Sequence, residues 1–194
     1  MIQDIAPHVL DNAYKICTPK ETDLALYFEK NTVLLKREGD DWVIPTVGAL
    51  GALVTGEPEY LFCVDEVGVF LLDAIGAPPE EPFAMVATNE FRTMACDWMA
   101  FAGATASQLN RWKASRRFCG RCGNEMEKSP TERAMRCPAC KHVEYPKICP
   151  AVIVAVKDGD KLLMARSTAS SYRKFALIAG FVEIGETFEQ AVER

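Results

Sequence analysis

Four cysteines in the middle of the chain limit its fold more than any other feature. They stand in RRFCGRCGNEMEKSPTERAMRCPACKHVEYPK as Cys119, Cys122, Cys137 and Cys140, spaced C-x2-C-x14-C-x2-C. Two thiolates three residues apart grip one ion from a tight turn, and two such turns complete a tetrahedron around Zn²⁺. Gly120 and Gly123 suit backbone that bends closely around sulfur. The spacing predicts a zinc ribbon. An iron site of the rubredoxin kind takes the same ligand set, and a disulfide framework is disfavoured in a reducing compartment. Four sulfurs close the coordination shell and leave no position for water, so the ion is expected to be structural. His142 follows the last cysteine closely and is expected at the surface, while Cys17, Cys63, Cys96 and Cys149 are scattered and read as ordinary thiols.

The remaining composition fits a soluble globular protein: 194 residues, 49% hydrophobic and 25% charged. No apolar run is long enough to span a bilayer. The start, MIQDIAPHVLDNAYK, lacks the basic residues and apolar stretch of a secretory signal. The expected location is cytoplasmic. A net charge of −5 conceals an asymmetry: residues 1–112 carry −10, 113–147 carry +5, and 148–194 are balanced. The basic island coincides with the cysteine cluster. Four thiolates on one Zn²⁺ leave about −2 of charge, which Arg116, Arg117, Arg121, Arg136 and Lys141 would offset. Attraction to a phosphate-bearing ligand is the other reading of the island.

The predicted fold class is α+β, in three parts: an N-terminal α+β domain over 1–113, the ribbon over 114–147, and a third segment over 148–194. NTVLLK and DWVIPTVGAL carry β-branched apolar runs, and EYLFCVDEVGVFLLD (59–73) reads as two strands around a turn near Glu66–Gly68. A helix is predicted over 92–113, with Met94, Trp98, Phe101, Leu109 and Trp112 facing a core. CPAVIVAVKDGDKLLMAR (149–166) reads as a hairpin: Val152, Ile153, Val154 and Val156 form a buried run, Asp158-Gly159-Asp160 the turn, and Leu162–Met164 the return strand. Thr187 with Gln190 makes a capping box, so a helix should begin at Phe188 and turn Phe188, Ala191 and Val192 inward.

The last residues, GFVEIGETFEQAVER, match the first 15 positions of the Nudix box, G-x5-E-x7-R-E-U-x-E-E-x-G-U, with Gly180, Glu186 and Arg194 on its fixed positions. The order of zinc ribbon, YP, aliphatic hairpin and AGFVE-x-GE resembles the NADH pyrophosphatases of the Nudix superfamily. The resemblance is specific from about residue 118 to 194. It implies that 148–194 is the start of a Nudix α/β/α sandwich. It also implies metal-dependent hydrolysis of the pyrophosphate of NAD(H) to nicotinamide mononucleotide and AMP, with NAD-capped RNA as a further substrate, in a homodimer.

By the same resemblance the carbonyl of Ala179 is the non-carboxylate ligand of a catalytic Mg²⁺ or Mn²⁺, Glu186 pairs with Arg194 in a structural role, and Glu132 and Tyr145 touch substrate from the ribbon. Gly180 lets the backbone approach the ion, and Glu183 and Glu189 are expected to be solvated. Two departures stand out: Arg133 occupies a position where relatives often carry an aromatic residue, and the SQPWPFPxS signature is not in these 194 residues. The carboxylates that carry the catalytic ion in Nudix enzymes follow the box arginine, so the natural protein is expected to be longer. The competing expectation is a non-catalytic fragment that serves as a zinc-ribbon binding or dimerisation module.

Overall fold

The structure, a computed structural model, describes residues 3–168 and 173–194. They fall into two units, Met1–Pro146 and Lys147–Arg194. The class is α+β, in agreement with the sequence.

In the first unit the β-branched and aromatic runs pair into one seven-stranded sheet. Its strands are β1 (Leu10–Asp11), β2 (Leu24–Glu29), β3 (Thr32–Glu38), β4 (Asp41–Val43), β5 (Glu59–Val64), β6 (Val67–Leu72) and β7 (Phe83–Ala87). The path runs β1-β5-β6-β2-β3-β4, with β7 on β3, and β2–β6 is the parallel pair. The sheet is covered on both faces. Alternation along β3 sends Val33 and Leu35 into one apolar cluster and Leu34 into another, and all three are fully buried. Each contributes about 1.5–3 kcal/mol of transfer free energy. Buried Asp23 ties the strand ends together: its carboxylate accepts from the N–H groups of Gly68 and Lys20, both at 2.8 Å.

Two expectations change here. DWVIPTVGAL is a strand only as far as Val43. Pro45 has no N–H to continue a ladder, and Thr46 then caps a short helix, α1 (Val47–Leu50), by accepting from Ala49 N–H at 3.1 Å. The helix predicted over 92–113 is two elements: a 3-10 helix at Thr88–Arg92, then α2 (Asp97–Ser115). The core-facing stripe of α2 is mainly small residues, Ala100, Ala102, Gly103, Ala106 and Ser107, with Trp112 at its end. Trp98, Phe101 and Leu109 are only half-buried at the cluster's margin. Small side chains bring the helix axis close to Phe91, and a Cβ on Gly103 would lie 2.2 Å from the Phe91 ring.

The ribbon follows α2 as a three-stranded sheet in the order β10-β9-β8, from β8 (Glu127–Lys128), β9 (Met135–Arg136) and β10 (Val143–Glu144). Trp112, Met126 and Met135 pack with Cys119 and Cys137 in a small core of their own. The ribbon is fastened to the large sheet by charge. Glu59 on β5 receives Lys113 and Lys128, each at 2.8 Å, and Lys113 also reaches Asp73 at 2.8 Å. Arg133 donates to the carbonyls of Asn12, at 3.1 Å, and Leu61.

The second unit corrects the expected hairpin. β11 (Ala151–Val154) pairs with β14 (Ile178–Phe181), placing Ile153 opposite Ala179 and Val152 opposite Gly180. The Gly159 turn joins two shorter strands, β12 (Lys157–Asp158) and β13 (Lys161–Leu162). The run expected to be buried is not: Ile153 is 69% exposed and Val156 45%. The capping box forms on α3 (Phe188–Glu193), yet Phe188 and Val192 are exposed instead of turned inward. Two two-stranded sheets and a six-residue helix offer too little apolar surface to cover these side chains.

Candidate functional site

The four cysteines converge. Cys119, Cys122, Cys137 and Cys140 place their sulfurs within 4.8 Å of one another, with Cys119–Cys140 at 3.6 Å and Cys122–Cys137 at 3.4 Å. Four thiolates about 2.3 Å from one Zn²⁺ imply sulfurs about 3.8 Å apart. The contacts match that tetrahedron and are far longer than the ~2.05 Å of a disulfide. Among the described residues this is the one convergence of three or more metal-ligating side chains.

Two equivalent turns build it. Gly123 N–H donates to Cys119 O at 2.9 Å, and Lys141 N–H donates to Cys137 O at 3.0 Å, each four residues on. Both donors have left-handed backbone, φ 76° at Gly123 and φ 62° at Lys141. Left-handed backbone favours glycine at 123, while Gly120 lies in open space with an ordinary φ. The sequence reading credited both.

The sulfurs take their compensation from amides. Arg121 N–H lies 3.4 Å from Cys119 Sγ, Cys140 N–H 3.5 Å from Cys137 Sγ, and Asn124 Nδ2 3.3 Å from Cys122 Sγ. The Asn124 side-chain and backbone amides hold the Cys122 thiol down to about 6, favouring the thiolate a metal needs. Two of the four arginines expected to offset the sulfur charge turn to carboxylates: Arg116 faces Glu144 at 3.5 Å and Arg117 faces Glu125 at 3.4 Å. His142 is not in the sulfur cluster and faces Glu144 at 3.3 Å.

Glu132 and Tyr145, 13 residues apart, meet on the ribbon, where Tyr145 Oη donates to Glu132 Oε1 at 3.3 Å. The Glu132 charge raises the Tyr145 phenol above its usual range, and the ring is 57% exposed. Arg133, beside them, lends its guanidinium to backbone carbonyls. The sequence noticed Arg133 only as a departure and missed its anchoring role, which depends on carbonyls 72 and 121 residues away.

In the second unit Arg194 clamps the loop after β14. Its Nε and Nη2 donate to the two oxygens of Glu186 at 2.7 and 2.8 Å, and Nη2 also reaches Phe181 O at 3.0 Å. Glu186 additionally accepts from Glu183 N–H at 2.9 Å. The Arg194 guanidinium, then the Glu183 amide, lower the Glu186 carboxyl to about 2. Ala179 and Gly180 lie exposed on β14, and nothing stands within 4 Å of where a Gly180 Cβ would be. Glu183 and Glu189 are also exposed.

Residues 114–145 match the NADH pyrophosphatase zinc ribbon domain. Among curated proteins, the chain is similar to the NAD-capped RNA hydrolase NudC of Stutzerimonas stutzeri, 46% identical over 89 residues, covering 46% of this chain and 32% of that protein. It is 46% identical over 87 residues to the protein of the same name from Pectobacterium carotovorum, covering 45% and 34%. A third, from Chromobacterium violaceum, is 33% identical over 151 residues, covering 78% and 57%. The chain thus spans about a third of the length of the first two and just over half of the third. No described helix is long and apolar enough to cross a membrane. Ribbon, cysteine geometry and relatives agree that this chain carries the zinc ribbon of the NADH pyrophosphatases and is similar to the proteins named NAD-capped RNA hydrolase.

Proposed function

We propose that the whole protein is a hydrolase that cleaves the pyrophosphate bond of NAD(H), or of an NAD-capped RNA end, to release nicotinamide mononucleotide and AMP or the 5′-monophosphate RNA. The observation that carries this reading is the presence, in one chain, of the four-sulfur ribbon and of the loop clamped by Glu186 and Arg194 after β14. The relatives named NAD-capped RNA hydrolase support it.

The roles divide as follows. Cys119, Cys122, Cys137 and Cys140 hold Zn²⁺ as a structural ion, because four thiolates leave it no open position. Tyr145 and Glu132 form a contact surface for a base or ribose, the carboxylate orienting the phenol. Glu186 and Arg194 fix the loop so that the Ala179 carbonyl stays available to a divalent ion. Bound Mg²⁺ or Mn²⁺ would screen the phosphate oxygens and lower the pKa of water. The three-part division at 113/114 and 147/148, a cytoplasmic location and a homodimer belong to the same proposal.

The test is incubation of the whole protein, as its gene encodes it, with NADH and Mn²⁺, followed by chromatographic detection of AMP and nicotinamide mononucleotide. The expected result is both products in equal amounts, with turnover lost in EDTA and restored by Mn²⁺. Release of nicotinamide instead of AMP would place cleavage at the glycosidic bond and end the proposal.

A further inference from the structure

We propose that the groove between the 3-10 helix Thr88–Arg92 and α2 is a second, phosphate-binding site, held by Arg92, Arg111 and Ser107. It stands apart from the hydrolase reading and survives that reading's failure.

The groove has a volume of about 570 Å³ and is lined on one side by Thr88, Asn89 and Arg92 and on the other by Ser107, Gln108 and Arg111. That volume lies within the ~300–1,000 Å³ range of ligand sites. Ser107 and Arg111 are one turn apart on α2, so their side chains share a face. The walls are fixed in position. Phe91 is buried at 3% exposure against Gly103, which holds the 3-10 helix directly on α2.

Charge distinguishes this groove from the rest of its domain. Residues 1–112 carry −10, and Arg92 and Arg111 are the only basic residues between Arg37 and Trp112. Both line the same groove, both are exposed, and neither is engaged in an ion pair among the described residues. Ser107 is 8% exposed and brings a hydroxyl to the groove wall. The nearest acid on the same segment, Glu90, turns instead to Thr93, whose Oγ1 lies 3.4 Å from its Oε2. Two guanidiniums and a hydroxyl donor suit a phosphate oxyanion, since the guanidinium fork matches its oxygens two at a time. The phosphate can come from a single-stranded RNA backbone or from a free phosphate ligand.

The test uses the zinc-loaded protein and R92Q/R111Q. Two probes are measured: a fluorescein-labelled single-stranded RNA 12-mer by anisotropy across a salt series, and inorganic pyrophosphate by calorimetry. Each lost arginine–phosphate contact removes about 0.7 from the slope of log K against log salt on a single strand. The variant should therefore lower that slope by about 1.4 if RNA occupies the groove, or weaken pyrophosphate binding at least tenfold if a free anion does. R92K/R111K, which keeps the charge, should retain the slope, and S107A should weaken pyrophosphate binding. An unchanged slope together with unchanged pyrophosphate affinity in R92Q/R111Q, or a wild-type protein that binds neither probe, overturns the proposal.

Discussion

Gly103→Ala tests how tightly α2 lies on the 3-10 helix. The added Cβ would meet three atoms of the Phe91 ring at 2.2, 2.4 and 2.6 Å. Ordinary contact begins at 3.4 Å, so the ring must retreat by about 1.2 Å or leave its site. Phe91 is 3% exposed, which leaves little space behind it. Overpacking costs up to about 3 kcal/mol, and expelling a buried phenylalanine ring costs about 3–5 kcal/mol. Against this, alanine is better than glycine in a helix by about 1 kcal/mol. The net expectation is a loss of about 2–4 kcal/mol. For a chain of this size that lowers Tm by roughly 4–16 °C. Thermal unfolding followed by far-UV circular dichroism on the zinc-loaded protein reads it. A double-mutant cycle sharpens the test, because Phe91→Leu removes the ring edge and should make alanine at 103 far better tolerated. An unchanged or higher Tm for Gly103→Ala in the native background would refute the packing described here.

Other perturbations have equally direct outcomes. Arg133→Ala leaves the carbonyls of Asn12 and Leu61 without their donor. A loss of about 1–3 kcal/mol is expected in urea unfolding, and an unaffected midpoint would show that Arg133 is not an anchor. The Glu186 carboxyl, lowered to about 2 in the folded chain, stays ionised below the unfolded value of about 4.3. The clamp's contribution is therefore fully present above about pH 4.3 and is lost as pH falls through about 2. Carbon-13 NMR of the carboxyl reads this directly, and a midpoint near 4.3 would mean that the Arg194 contact is not formed. Tyr145→Phe removes the hydrogen bond to Glu132. In the whole protein it should raise KM for NADH by up to about tenfold without moving Tm, as expected for one such bond.

Local chemistry was readable and distant pairing was not. Cysteine spacing reported the sulfur cluster because two-residue gaps force a tight turn at each pair. The capping box at Thr187 and Gln190 was readable for the same reason, since all its partners lie within three residues. The pairing of β11 with β14 was missed because the nearer Asp158-Gly159-Asp160 turn offered a simpler hairpin, and periodicity alone does not choose a partner strand. The helix face was legible only in part: Met94, Trp98, Phe101, Leu109 and Trp112 do pack on a core as expected, but the close approach of α2 rests on Ala100, Ala102, Gly103 and Ala106, whose small side chains give no signal of their own. Arg133 and the Arg92–Arg111 groove depend on segments far apart in sequence, so no spacing rule reveals them.

Zinc K-edge X-ray absorption of the purified chain tests the sulfur site most directly. The geometry predicts one shell of four sulfurs at about 2.3 Å, with no oxygen or nitrogen ligand and one zinc per chain. A shell with fewer than four sulfurs, or a light-atom ligand in an open position, would contradict a purely structural ion held by Cys119, Cys122, Cys137 and Cys140.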